Sequence, residues 1–152
     1  MTMVAKDTAE LLYDIEQIKQ LKARYFRFLD GKQWFDWRTC FTDDMHFYRG
    51  QDPKPVTSAG DEFVAYVSKL LAGTVTVHHG HMPEIELSSG TTAKGIWAMF
   101  DWVDWNNTET PERTFQGYGH YIEDYEKGGD GKWRIKNLRL TRIRVDYTEK
   151  KK

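Results

Sequence analysis

Gly73-Thr74-Val75-Thr76-Val77-His78-His79-Gly80-His81-Met82-Pro83 is where the periodicity of this 152-residue chain changes. Upstream, apolar residues recur every three or four positions. From Val75 onward they alternate. The first spacing belongs to one face of a helix and the second to one face of a strand. The change therefore divides the chain into a helical first half and a stranded second half. Helices followed by an unbroken run of strands make an α+β fold.

Working back from Gly73, residues 58–71 read as a helix. Ser58 is its N-cap, Asp61 its N3 residue, and Phe63, Val64, Val67, Leu70 and Leu71 its apolar face. A loop over 50–55 and a short strand over 45–49 precede it, with Thr42-Asp43-Asp44 as a turn. Residues 34–41 read as a second helix with Trp34, Phe35, Trp37 and Phe41 facing inward. The first helix begins at Leu11 and repeats Ile15, Ile18, Leu21, Tyr25, Phe28 and Leu29 along one side. Gly31 stands where a C′ residue ends it. Residues 1–10 are polar and read as a flexible lead, 11–147 as one domain, and 148–152 as a charged tail.

Working forward, four strands are expected, over 75–87, 92–106, 113–126 and 132–147. Ser88-Ser89-Gly90, Asn106-Asn107-Thr108 and Gly128-Gly129-Asp130-Gly131 separate them as turns. Pro83 marks a bulge or bend in the first. Three helices and a long antiparallel meander predict a cone-shaped, curved sheet with the helices closing one end. The interior of such a cone is a pocket lined by one face of each strand.

Composition narrows the function classes. The net charge is −1, with 22 basic and 23 acidic residues, which favours neither nucleic acid nor an anionic membrane surface. Residues 96–100 form the longest apolar run, too short to span a bilayer. No signal peptide is evident at the N-terminus, so a cytoplasmic protein is expected. The single cysteine, Cys40, reads as buried and inert. Six Trp, eight Tyr and eight Phe exceed what a plain core needs, which suggests an aromatic-lined pocket for a small hydrophobic or aromatic substrate.

The three histidines 78, 79 and 81 lack the helical spacing of a metal-binding pair, and no cysteine pair accompanies them. No phosphate loop and no nucleophile elbow occurs. No metal and no cofactor is expected, which leaves proton-transfer chemistry by His, carboxylates and tyrosines. Asp30 closes the first helix at the negative end of its dipole, where a carboxylate is unfavourable. Such misfits are often functional, and the alternative at this point is a solvated turn aspartate. In the strand over 96–105, Trp97, Met99, Asp101 and Val103 share one face, and Ile96, Ala98, Phe100, Trp102 and Asp104 the other. Alternation alone does not choose the inner one. If Asp101 faces inward, desolvation favours a neutral, proton-donating carboxyl. Tyr118 and His120 oppose Gly117, Gly119 and Tyr121 in the same way. Glycines inside a strand mark a bend or a close approach. The last strand is strongly basic, and its charges read as solvent or interface groups. Arg139 or Asn137 is the candidate to reach the pocket.

The helix Asp14-Ile15-Glu16-Gln17-Ile18-Lys19-Gln20-Leu21-Lys22-Ala23-Arg24-Tyr25-Phe26-Arg27-Phe28-Leu29-Asp30-Gly31-Lys32 resembles the first helix of SnoaL-like proteins of the nuclear transport factor 2-like superfamily. His78-His79-Gly80-His81-Met82-Pro83-Glu84-Ile85 is similar to their His-x-Gly strand. Residues 125–135 and Leu140-Thr141-Arg142 are similar to their last hairpin. The resemblance implies a cone-shaped α+β barrel, a homo-oligomer (dimer or trimer), and a cofactor-free pocket. Many such proteins are lyases or isomerases, and others have no catalytic role. By resemblance to the bile-acid and scytalone dehydratases of this family, His78 is the catalytic base and Asp30 orients it. Tyr25 and Tyr48 are candidate acids, and Asp101 is a second carboxylate. His120 lies near a second histidine position. Trp97, Met99, His120 and Arg139 are expected to contact substrate. The segment 102–113 has no counterpart. The expected activity is that of a dehydratase acting on a carbonyl-bearing or phenolic ring. A carbon–carbon lyase releasing formaldehyde, a steroid-type isomerase and a non-catalytic binding role stand as alternatives.

Overall fold

A computed structural model describes residues 7–105 and 113–149. The expected turn at 106–108, most of the 102–113 segment, the first six residues and Lys150 to Lys152 lie outside the described residues. Three helices, α1 (Thr8–Asp30), α2 (Trp34–Arg38) and α3 (Gly60–Leu70), pack against a sheet of five strands. The strands are β1 (Phe41–Arg49), β2 (Val75–Leu87), β3 (Thr92–Asp104), β4 (Arg113–Lys127) and β5 (Trp133–Glu149). Their order is β1-β5-β4-β3-β2, so the curved sheet is open, with β1 and β2 at its edges. The fold is α+β, as the change of period at Gly73 predicts.

β2 to β5 form the expected antiparallel meander. β1 departs from it and pairs with β5 in parallel, which makes the sheet mixed. The pairing also corrects the expected limits of α2. The helix stops at Arg38, and Phe41 already lies beside Ile135 of β5. The guanidinium of Arg38 fixes that ending: it donates to Asp43 at 2.5 Å, to Asp61 at 2.6 Å and to the Phe41 carbonyl at 3.1 Å. The residues expected as a turn, Thr42 to Asp44, are an irregular stretch within β1. A helix of five residues cannot bury both Phe35 and its neighbours, because successive side chains point apart. Phe35 is accordingly 87 % exposed while Trp37 is fully buried. Ser58 does not cap α3. Its backbone N–H donates to Glu62 instead, and Ala59 holds the N-cap position.

α1 begins at Thr8, inside the stretch expected to be flexible. Its buried Asp14 accepts hydrogen bonds from Lys127 and from the Trp133 indole, which tie the helix to the β4–β5 hairpin. Its C-terminus closes with Lys32 N–H on the Leu29 carbonyl and Gln33 N–H on the Phe28 carbonyl, a Schellman arrangement. The left-handed residue of that motif is Lys32, at φ 55°, and Gly31 stays right-handed at φ −76°. A non-glycine residue there costs about 1–2 kcal/mol. The chain therefore tolerates strain two residues beyond Asp30, although a glycine is adjacent.

The bulge expected at Pro83 is present as a register shift between His81 and Glu84. A second, at Tyr118/Gly119, lets the β5 backbone approach β4 so closely that a side chain at Gly119 would collide with the Thr141 carbonyl. Between sheet and helices lies an aromatic core of Tyr25, Trp37, Phe41, Phe47 and Phe63 with ring centroids 4.8–5.9 Å apart. Cys40 is buried beside it, and burial pushes its thiol up to about 12. No helix of the described residues is long and apolar enough to cross a membrane.

Candidate active site

The inner sheet face and the helices enclose a cavity of about 260 Å³. Tyr25 and Leu29 of α1, His78 of β2, Asp101 of β3, Tyr121 of β4 and Arg142 of β5 line it, with Trp37, Phe47 and Phe63 beneath. The ambiguity of the mixed strands is resolved by burial. Trp97, Met99, Asp101 and Val103 face inward, and Gly117, Gly119 and Tyr121 do so on β4.

The placement of Asp30 explains its misfit at the helix end. Oδ1 meets His78 Nδ1 at 2.7 Å, and Oδ2 accepts the His78 backbone N–H at 2.9 Å. The Thr76 hydroxyl also donates to Oδ1, at 2.9 Å. These donors satisfy a carboxylate that the helix dipole opposes. A carboxylate only accepts, so the neutral imidazole carries its proton on Nδ1 and leaves the Nε2 lone pair free. Nε2 points to the cavity side, 4.0 Å from Asp101 Oδ2.

Asp101 is held by Arg142 through a bidentate pair, Nη1 to Oδ1 at 2.5 Å and Nη2 to Oδ2 at 2.6 Å. A guanidinium fork binds a carboxylate, not a carboxylic acid. The expected proton-donating carboxyl therefore gives way to a paired anion. Gly117 makes room for this pair, because a Cβ there would overlap both Arg142 Nη1 and Asp101 Oδ1. Gly117→Ala is expected to displace the pair and lower turnover or ligand affinity at least about tenfold, with the protein still folded. Circular dichroism beside a ligand titration checks this.

Tyr25 and Tyr121 are buried, and burial foremost holds both phenols well above the usual tyrosine range. The second cause is Tyr121 for Tyr25 and Asp101 for Tyr121. Both remain protonated donors at neutral pH. Behind them lies a fully buried ion pair, Lys22 with Glu123. The Lys22 ammonium sits 3.9 Å from the centroid of the Tyr25 ring and 3.8 Å from that of Tyr121. Glu123 also accepts the Tyr125 hydroxyl, which in turn accepts the Trp97 indole N–H at 2.9 Å.

His78, Asp30, Tyr25 and Asp101 thus come together. Three expected residues lie on the outer sheet face instead, each for the same reason of strand alternation. Phe47 faces inward, so Tyr48 faces outward, where it stacks with His46 and lies 4.5 Å beneath the Arg139 guanidinium. Gly119 and Tyr121 face inward, so His120 lies on the outer face. Leu138 and Leu140 face the cavity, so Arg139 turns out and secures the loop after β1 through the Gly50 and Asp52 carbonyls. Trp97 and Met99 are on the inner face but outside the cavity lining. Trp97 supports Tyr125, and the Met99 sulfur lies 3.5 Å from Arg142. His79 and His81 sit on the exposed side of β2.

Arg142, Tyr121 and the Lys22–Glu123 pair were not expected. Gly117 carried the usable signal, since a glycine mid-strand announces that something large occupies the space opposite. No set of His, Cys, Asp or Glu among the described residues gathers as metal ligands.

Solved structures share this fold. A candidate scytalone dehydratase from Novosphingobium aromaticivorans superimposes with a TM-score of 0.79 at 19 % identity, covering 95 % of this chain and 94 % of its own. A type 2 hexachlorocyclohexane dehydrochlorinase (LinA) matches with a TM-score of 0.79 at 15 % identity over 93 % of each chain. The type 3 dehydrochlorinase of Novosphingobium barchaimii matches with a TM-score of 0.75 at 15 % identity, over 93 % of this chain and 94 % of its own. At these identities the likeness establishes the fold. The sequence itself goes further: residues 10–139 match the SnoaL-like domain, and the chain belongs to that family.

Proposed function

We propose that this protein is a cofactor-independent lyase that eliminates water from a carbonyl-bearing or phenolic ring compound. The observation that carries the proposal is the 2.7 Å contact between His78 Nδ1 and Asp30, made at the wall of an aromatic cavity. His78 Nε2 removes a proton made acidic by the neighbouring carbonyl. Asp30 holds the imidazole in the required tautomer and stabilises the imidazolium. The Tyr25 and Tyr121 hydroxyls, neutral and buried, donate to the oxygen on which negative charge develops. The His78 imidazolium then returns that proton to the hydroxyl as the carbon–oxygen bond breaks, so water leaves and the base is regenerated. Arg142, locked by Asp101, adds a cation to the same wall.

The dehydratase and dehydrochlorinase among the solved structures of this fold support an elimination. The cavity volume supports a small substrate. A void of about 150 Å³ holds benzene, so about 260 Å³ suits one or two rings and is tight for a four-ring steroid. A purely binding role gives no reason to orient an imidazole with an otherwise unfavourable helix-terminal carboxylate. Incubation with a panel of one- and two-ring β-hydroxy ketones, followed by mass spectrometry, tests the bond broken. Loss of water is the expected result. Loss of formaldehyde, or a product of unchanged mass, assigns a different reaction to the same pocket. Exposed Val75, Ile96, Ile122 and Ile143 on the outer sheet face support a homo-oligomer, which sedimentation tests.

A further inference from the structure

The strained residue at the end of α1 has a chemical use. Lys32 takes the left-handed conformation at φ 55°, and its ammonium donates to the Thr76 hydroxyl at 2.6 Å. Thr76 is buried, and its own hydroxyl proton goes to Asp30 Oδ1 at 2.9 Å. The same oxygen holds His78 Nδ1. The sequence of contacts is therefore ammonium, hydroxyl, carboxylate, imidazole: the ammonium donates to the hydroxyl, and the hydroxyl and the imidazole Nδ1–H both donate to the carboxylate. We propose that Lys32 is a positioning residue of the dyad. Through Thr76 it fixes the Asp30 carboxylate, and its charge discourages protonation of His78, which keeps the imidazole available as a base. This inference rests on the proposal that His78 acts as a base.

Three features support it. A turn residue without a task at this position would be Gly or Asn, which enter the left-handed region at little cost. Lys32 is half-buried, and burial lowers its affinity for the proton, while the Asp30 charge opposes that loss. The Thr76 hydroxyl, finally, can only accept from the ammonium, so its oxygen ties Lys32 to Asp30 while its single proton goes to the carboxylate.

The groups facing His78 give the sign. From α1 come Asp30, which favours the imidazolium, and Lys32, which opposes it; Tyr25 is neutral. From β3 and β5 come Asp101 and Arg142, paired with each other, and from β4 the neutral Tyr121. Removing the Lys32 cation leaves the attraction of Asp30 less opposed, so the His78 titration moves to higher pH.

The experiment is an NMR titration of the histidine ring resonances in the full chain, with the His78 signals identified by their absence in His78→Gln. In Lys32→Met the His78 midpoint is expected to move up by roughly half a pH unit or more. Thr76→Val is expected to move it in the same direction, and Lys32→Arg to leave it close to the wild type. Lys32→Gly separates charge from folding: it removes the left-handed strain, so its thermal midpoint stays level or rises while the His78 titration still shifts. A Lys32→Met titration that superimposes on the wild type overturns the proposal, as does a shift in Thr76→Val without one in Lys32→Met. Since no substrate is used, these outcomes are independent of turnover. An active His78→Gln enzyme would refute the assigned base without altering the titration result.

Discussion

Asp30→Asn is expected to lower turnover by about 10²–10⁴-fold and to leave the fold intact. The amide preserves size and keeps one oxygen to accept the His78 backbone N–H, so the β2 backbone stays in place. What changes is the partner of Nδ1. An amide nitrogen turned toward the ring donates, and the imidazole must then carry its proton on Nε2, where the base should be empty. An amide oxygen turned toward the ring would keep the tautomer, but it would set the amide nitrogen against the His78 backbone N–H and no longer compensate the imidazolium charge. His78→Ala removes the base itself and is expected to cost at least as much. Thermal denaturation beside initial rates separates these losses from unfolding, and a variant retaining near-wild-type rates contradicts the assignment.

Glu123→Ala is the most destabilising single change expected outside the apolar core. Lys22 and Glu123 are both fully buried. Removing one partner leaves an uncompensated charge in the interior, at a cost of about 3–5 kcal/mol. In a domain of this size that corresponds to a fall of roughly 10 °C or more in thermal midpoint. Desolvation already pulls the Lys22 ammonium below its usual range, against the opposing charge of Glu123, and without Glu123 only the penalty remains. Replacing both residues, as Lys22→Met with Glu123→Gln, keeps an acceptor for Tyr125 and removes both charges. That double variant is expected to recover most of the loss, because a buried pair exchanged for neutral groups of similar volume is often neutral or better. Urea denaturation of the two single variants and the double variant measures the coupling directly. The double variant also removes the ammonium that lies over the Tyr25 and Tyr121 rings.

The change of period at Gly73 was sufficient to read the fold class and all four long strands to within two residues, because one-sided burial imposes alternation that the sequence cannot hide. What local pattern could not carry was pairing between distant segments. β1 runs parallel to β5 because the chain returns to that edge about ninety residues later, and nothing within residues 41–49 announces it. The same non-local fact shortened α2 and drew Thr42 to Asp44 into a strand.

At the site, Asp30 stood out because it broke a rule of helix ends, and His78 was singled out among three histidines only by the resemblance to the family's His-x-Gly strand. Asp101 was legible as a residue but not as a state, since its partner Arg142 stands in a strand whose many charges all looked alike. Tyr48, His120 and Arg139 fell on the wrong face for a simple reason. A strand's two faces differ by one residue, and a resemblance that fixes a position to within one residue cannot choose between them. The role proposed for Lys32 depends on a left-handed backbone angle that sequence alone assigns to the neighbouring Gly31.

The most direct test follows the α-proton. In deuterated solvent, one- and two-ring β-hydroxy ketones incubated with the protein are monitored by NMR for loss or exchange of the proton beside the carbonyl. The His78–Asp30 dyad predicts exchange or elimination by the wild type and none above background with His78→Gln. Equal rates in the two proteins would contradict it.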